Sequence, residues 1–387
     1  MKVAKAVNRL GTEAVYNIFA KTKKLINQGK EIIDLSLGQS DFKSPKHAVD
    51  AAIKALKDGH HGYTLPNGTI ECREAVSRKI KNLYKANIEP ERIIIMPGGK
   101  PTMHYAISFF GEPGAEIIYP DPGFPIYESM INFTGAKAVP YNMTESKDFF
   151  INPDKILSLI NEKTRLLILN NPHNPTGGFT KKEIIDKLAV GLKNFSNLAI
   201  LSDEVYDRLI FDNKEIPTLL NYPELYDRLI VLNGWSKTYA MTGWRLGWGV
   251  WPEKLLDHVF KFCVNSHSCV NTPAQFGAIA ALDGPEDHLE KMMEEFNKRR
   301  KLIVSGLKSL KGVSCSMPGG SFFVFPNIKG TGMNGEEFAK KCLDEAGVAV
   351  IPGVAFGKFA TDNVRLNFAT SRENISKAIE KIDKILK

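Results

Sequence analysis

The strongest constraint on the fold is an alternation. Short apolar runs rich in Ile, Leu and Val ("RIIIM", "AEIIYP", "KAVPY", "RLLILN", "LAILSDE" and "RLIVLNG") recur along residues 92–234, mostly with helical patterns between them. They are short and flanked by Gly, Pro and Asn, so they read as buried strands rather than helices. Strands that alternate with helices pair in parallel, because a crossover must carry the chain back to the same edge of the sheet. An α/β chain built on a mostly parallel sheet is therefore expected.

Elements at the flanks extend this reading. "EIIDLSL" reads as a strand, and "SPKHAVDAAIKALKDG" as a helix with Ser44 as its cap, Pro45 at the first helical position and Gly59 at its end. The pattern changes near residue 285, where "DHLEKMMEEFNKRRKLIVSGLKSL" reads as a long amphipathic helix. Strand-like "GGSFFVFP", "VAVIP" and "NVRLNFA" and two further helices follow. The expected division is an N-terminal segment (1–44) packing with a small α+β domain (285–387), and a large domain (45–284) between them. A chain of 387 residues has the length for two such domains.

Charge excludes several partners. The formal net charge of +8 is scattered, and the densest run, "NKRRK" (Asn297 to Lys301), falls inside a helical pattern and reads as a solvated face. No basic cluster is interleaved with aromatics, so no nucleic acid is expected. No apolar run is long enough to span a bilayer, and the first residues lack the apolar centre of a signal peptide. Cys72, Cys263, Cys269, Cys315 and Cys342 are spread without a CxxC pair. Neither a zinc site nor a disulfide frame is expected, and a cytoplasmic location is the simplest.

Chemistry is written at the strand ends. "PGGKPT" (Pro97 to Thr102) leaves a strand and opens a helix. Its glycines let the backbone approach an anion, and a helix N-terminus offers free N–H groups with partial positive charge. It lacks nucleotide-loop spacing, so it also reads as a plain strand-to-helix turn. "NNPHNPTGG" (Asn170 to Gly178) is an irregular loop at a carboxyl strand end, where α/β proteins bind ligands, and Asn174 offers an amide there. His173 has no partner at metal spacing and reads as a loop histidine, so no metal is expected. "LAILSDEVYDRL" delivers Asp203 at a strand end, with Tyr206 just beyond. An acid placed there binds a cation or caps a turn.

"SKTYAMTGWRLGWGV" (Ser236 to Val250) holds Lys237 and Arg245 in an otherwise uncharged run. A lysine pressed among aromatics and aliphatics loses affinity for its proton, because burial disfavours the charged form. It then becomes a nucleophile able to form a Schiff base; the alternative is a structural lysine.

Taken in order, NPxNPTG, SDEVY and SKxxxMTGWRxGW resemble the class I/II family of pyridoxal-phosphate enzymes, the aspartate aminotransferase superfamily. The resemblance runs from "LSLGQSDF" to "NVRLNFAT". It implies the α/β architecture of fold type I: a mostly parallel sheet sandwiched by helices, with a smaller α+β domain. It also implies ping-pong transfer of an amino group from an L-amino acid to a 2-oxo acid. The implied cofactor is pyridoxal 5'-phosphate, alternating with its pyridoxamine form. Lys237 matches the Schiff-base lysine, and Asp203 the acid that pairs with the pyridinium nitrogen. Tyr206 and Asn174 match the hydrogen-bond partners of the ring's phenolic oxygen, with Asn174 also bordering the substrate. Gly99 and Lys100 match backbone donors to the phosphate, Ser236 and Arg245 side-chain donors to it, and Phe124 the stacking aromatic. Arg365 matches the clamp on the substrate's α-carboxylate, and Gly38 a glycine of the closing segment. Tyr63 matches a tyrosine that reaches the phosphate of the neighbouring subunit, which implies a homodimer with shared sites.

The amino donor is less constrained. Glu13 and Val15 of "GTEAVYNIF" align where dicarboxylate-specific relatives carry small hydroxyl residues. An acid there would repel an aspartate side chain and favours a neutral or aromatic donor. Glu13 also suits the first turn of a solvated helix. Lys100 pulls the other way, as a partner for a distal carboxylate, and "LGQSDF" departs from the commoner "GEPDF" in the closing segment. A C–S β-lyase on the same fold is the alternative activity. A ligand-sensing regulator is disfavoured, because the enzyme-like segment starts almost at Met1.

Overall fold

The computed structural model describes residues 1–387 apart from Thr12, 146–148 and 213–214, and apart from the side chains of Glu13 and Ala14. In chain order the strands are β1 (Ile33–Asp34), β2 (Ile93–Met96), β3 (Glu116–Asp121), β4 (Lys137–Asn142), β5 (Thr164–Asn170) and β6 (Ala199–Asp203). They continue with β7 (Leu229–Gly234), β8 (Gly247–Val250), β9 (Phe323–Val324), β10 (Val348–Ala349), β11 (Ile351–Pro352) and β12 (Val364–Asn367). The apolar runs of residues 92–234 become β2 to β7, all in one sheet of order β2-β8-β7-β6-β5-β3-β4.

Within that sheet only β8 runs antiparallel to its neighbours, β2 and β7, among the described residues. It is a strand that the sequence did not announce: "GWGV" carries two glycines and reads as loop by composition. Both faces of the sheet are covered, as a parallel sheet requires. Alternate residues of one strand feed opposite layers. Leu167 and Leu169 of β5 pack with helices Ile70–Tyr84, Lys182–Leu192 and Thr272–Asp283. Leu166 and Ile168 pack with helices Lys100–Phe110, Ile126–Thr134 and Leu256–Ser266. The "mostly parallel sheet sandwiched by helices" is thus the observed fold.

A second core gathers around the long helix Asp287–Ser309 and the antiparallel sheet β11-β12-β9. β1 pairs in parallel with β10, Ile33 opposite Val348, which ties the start of the chain to its last third. "EIIDLSL" contributes only the two residues of β1, because Ser36 turns back onto Asp34: its hydroxyl donates to Asp34 Oδ1 at 2.5 Å.

The capping of the first large-unit helix differs from expectation. The helix spans Lys46–Lys57, Pro45 is its N-cap, and no side chain caps it. Ser44 is recruited elsewhere: its Oγ donates to Ala240 O at 3.1 Å and accepts from Trp244 Nε1 at 3.0 Å. A tertiary bond to the Lys237 loop has displaced the local cap. Gly59 does follow the helix end, at φ 87°. The five cysteines are free, and no metal-like cluster occurs among the described residues. No helix among the described residues is long and apolar enough to cross a membrane.

Candidate active site

The carboxyl ends of β5, β6 and β7 deliver Asn170, Asp203 and Gly234 to one edge of the sheet. Past Gly234 the chain loops out and returns as β8, with Gly247 paired to Gly234. A Cβ on Gly234 would come within 2.8 Å of Gly247 Cα, so bare glycine lets the two strands close this loop at its base. The closed loop carries Ser236, Lys237 and Arg245. Arg245 adopts a left-handed backbone, φ 55°, which is costly for a side-chain-bearing residue and is held here by its surroundings.

Lys237, Asp203, Tyr206, Asn174, Ser236 and Arg245 line a single cavity of about 290 Å³. Gly38, Gly99, Lys100, Phe124 and Arg365 line it as well, so segments from the first forty residues to the last thirty converge there. Tyr63 does not reach the site of its own chain: it is 92% exposed on the loop "GYTLPNG". The side chain of Glu13 lies outside the described residues, whereas Val15 lines the cavity.

Each side chain is fixed by specific partners. Lys237 Nζ donates to Gly38 O at 2.5 Å and sits 5.8 Å and 5.6 Å from the ring centres of Tyr206 and Phe322. Burial, together with the positive charges of Arg365 and Arg245, pushes its ammonium down to about 8. Asp203 is buried and accepts from the Tyr127 hydroxyl at 2.6 Å. Its burial outweighs that bond and the nearby Lys237 charge and raises its carboxyl to about 6. Arg365 is buried, donating to Asn174 Oδ1 at 3.0 Å and Ser36 O at 2.6 Å, with its Nε left unpaired. Its guanidinium carbon lies over the rings of Phe323 and Phe356, 4.4 Å and 4.5 Å from their centres. Gly38 has little room to be anything else: a Cβ there would sit 3.0 Å from Phe323 Cζ.

Two members of the site were not singled out in the sequence. Asn170 donates to Asp203 O at 3.0 Å and accepts from Asn174 N at 2.9 Å, so it ties the two loops together. Its signal was its place at the end of β5, as the first residue of the noticed loop "NNPHNPTGG". Tyr127 has no such signal beyond following "DPGFP". His173 is buried, bonds Thr176 Oγ1 at 2.7 Å through Nδ1, and is pushed down to about 3 by burial, as befits a loop-forming histidine.

The lysine shift is directly testable. In an NMR titration of the cofactor-free protein, the Lys237 amine is expected to deprotonate near pH 8. An ordinary lysine titrates about two units higher. A midpoint above pH 10 would mean that the cavity does not desolvate the amine.

The chain is similar to known proteins along almost its whole length. The family model for aminotransferase class I and II matches residues 30–382. An aspartate aminotransferase of Pyrococcus horikoshii is 36% identical over 99% of this chain and 97% of its own. A (5-formylfuran-3-yl)methyl phosphate transaminase of Methanocaldococcus jannaschii is 34% identical over 96% of each chain. The solved aspartate aminotransferase of Thermus thermophilus with maleate superposes with a TM-score of 0.94, at 30% identity over the full length of both chains. The chain belongs to the class I and II aminotransferase family and is an aminotransferase.

Proposed function

We propose that this chain uses pyridoxal 5'-phosphate to move an amino group from an uncharged or aromatic L-amino acid to a 2-oxo acid. The observation that carries the reading is a lowered lysine amine beside a buried, unpaired carboxylate in one cavity. Asp203 makes no ion pair among the described residues, and its burial suits a partner that is itself a buried cation. A protonated pyridine nitrogen is such a partner. A phosphate fits the opposite end. There the N-terminus of helix Lys100–Phe110 meets Ser236 and Arg245, and a Cβ on Gly98 would fall 2.1 Å from Arg245 Nη2. Glycine at that turn leaves the guanidinium its place beside the helix dipole.

When bound, the cofactor supplies an electron-poor ring that accepts the electron pair left at the substrate's α-carbon as its proton departs. The chain does the rest. Asp203 would hold a proton at the ring nitrogen, Tyr206 and Asn174 would hydrogen-bond the phenolic oxygen, and Phe124 would stack on the ring. Arg365 clamps the substrate's α-carboxylate through its fork of donors. Lys237 would hold the cofactor through Nζ, and its amine is placed to move the substrate's α-proton as general base. Gly38 O, which accepts from Nζ, keeps the amine aimed into the cavity. Val15, Phe19 and Leu37 give the donor's side chain apolar walls.

Tyr63 acts from a second copy in this reading, which places exposed Tyr63 and Leu65 in a dimer interface. A monomeric mass for the active protein would overturn that part. The activity is tested by a half-reaction. The cofactor-loaded protein, mixed with one amino acid and no 2-oxo acid, is expected to lose its yellow absorbance and release about one 2-oxo acid per site. Continued release of pyruvate or ammonia with the yellow band intact would indicate a lyase instead.

A further inference from the structure

Cations outnumber acids in the cavity. Lys100, Lys237, Arg245 and Arg365 line it, and Asp203 is the carboxylate among its described lining residues. Transamination as proposed gives tasks to the side chains of Lys237, Arg245 and Arg365. The Lys100 ammonium remains. It is held by aromatic groups: Nζ donates to the Tyr16 hydroxyl at 2.9 Å and lies 5.3 Å and 5.9 Å from the ring centres of Tyr16 and Phe124. Tyr16 comes from helix Glu13–Asn27 and Lys100 from the start of helix Lys100–Phe110, so the pair bridges separate elements across the cavity. Tyr16 is half exposed, which leaves its side chain room to move.

We propose that Tyr16 sets side-chain selectivity by occupying the Lys100 ammonium, so that a donor's side-chain anion must take this cation from the phenol. This rests on the transamination reading above. A hydrogen bond to a charged group is worth more than one between neutral groups, and the nearby Phe124 ring adds a weak cation–π attraction. A carboxylate reaching Lys100 gains an ion pair but displaces these contacts. An uncharged ring or alkyl group packs against Val15, Phe19 and the Tyr16 ring and leaves the pair intact. Selectivity is a difference of two affinities, and here the phenol lowers one of them.

The test is a double-mutant cycle read as a ratio, so that losses common to all donors cancel. The native protein, Tyr16→Phe, Lys100→Gln and the double variant, all loaded with cofactor, are compared in two ways. One is the half-reaction kcat/KM for aspartate against phenylalanine. The other is the binding of unreactive succinate against 3-phenylpropionate by calorimetry. Tyr16→Phe is expected to shift both ratios towards the acidic ligand roughly five- to tenfold, less than the full value of a bond to a charged group because this pair is exposed to solvent. In the Lys100→Gln background the same change should shift neither. An unchanged ratio overturns the proposal, and so does a shift that survives Lys100→Gln. A shift away from the acidic ligand would mean that the phenol itself binds the anion, and overturns it too. If the binding ratio shifts but no amino acid is converted, the transamination reading fails and the role of Tyr16 stands.

Discussion

Lys237→Ala is expected to lower turnover by more than about 10⁴-fold, the upper range for losing a general base that is also the covalent anchor. The same variant should lose the cofactor link: borohydride treatment of the native protein leaves a stable mass increase on the Lys237 peptide, and treatment of the variant should leave none. The reason lies in the environment of the amine. Burial and two guanidinium charges hold it near 8, so the neutral fraction at physiological pH is roughly a hundredfold that of an ordinary lysine. Water in the same place is a far weaker nucleophile and base. Lys237→Arg separates charge from proton transfer, because a guanidinium keeps the positive charge but does not give up its proton. It should be as inactive as the alanine variant. Turnover retained by either would remove Lys237 from the mechanism.

Asp203→Asn is expected to pull activity and stability in opposite directions. Activity should fall roughly 10² to 10³-fold, the usual cost of removing a charge aimed at the reacting system. The cofactor-free protein should instead become more stable above about pH 6. The sign follows from burial. The folded state raises the Asp203 carboxyl to about 6, above its unfolded value, so folding is opposed wherever the folded carboxylate must ionise. That penalty is fully present above pH 6, shrinks as pH falls, and vanishes below about pH 4, where both states are protonated. Asparagine keeps the shape and removes the charge. The melting temperature of the variant should therefore exceed that of the native protein at pH 8 and match it at pH 4. A variant less stable at pH 8 would mean that the Tyr127 bond outweighs the cost of burying the charge.

How far the site was readable from sequence depends on the range of the interactions involved. β2, β3, β5, β6 and β7 were legible because a strand covered on both faces must be largely apolar, which is a local property, whereas β4 is a half-buried edge strand. Asp203 and Lys237 were legible because each stands where such a run breaks. β8 was not, since its two glycines are required by the close approach of Gly247 to the Gly98 backbone and of Gly249 to Trp251 and Thr102, contacts that no local pattern reports. Ser44 was misread for a related reason. Its hydroxyl is a good cap in isolation, but two partners on the Lys237 loop hold it more firmly. The bond from Tyr16 to Lys100 spans two helices and left no trace in spacing at all.

The Arg365 contacts have a consequence for biosynthesis. Its guanidinium bonds Ser36 O and Asn174 Oδ1, groups 329 and 191 residues away along the chain. A ribosome makes Ser36 and Asn174 well before Arg365. The large sheet can form on the emerging chain, yet the proposed carboxylate clamp cannot exist until the segment carrying Arg365 has emerged. Contacts of such long sequence separation also form late in folding, after the costs of loop closure have been met. Prematurely terminated chains would thus carry the lysine and the acid but no means of holding a substrate. Appearance of activity in a timed translation should lag behind appearance of compact protein, making catalysis a report on completed synthesis.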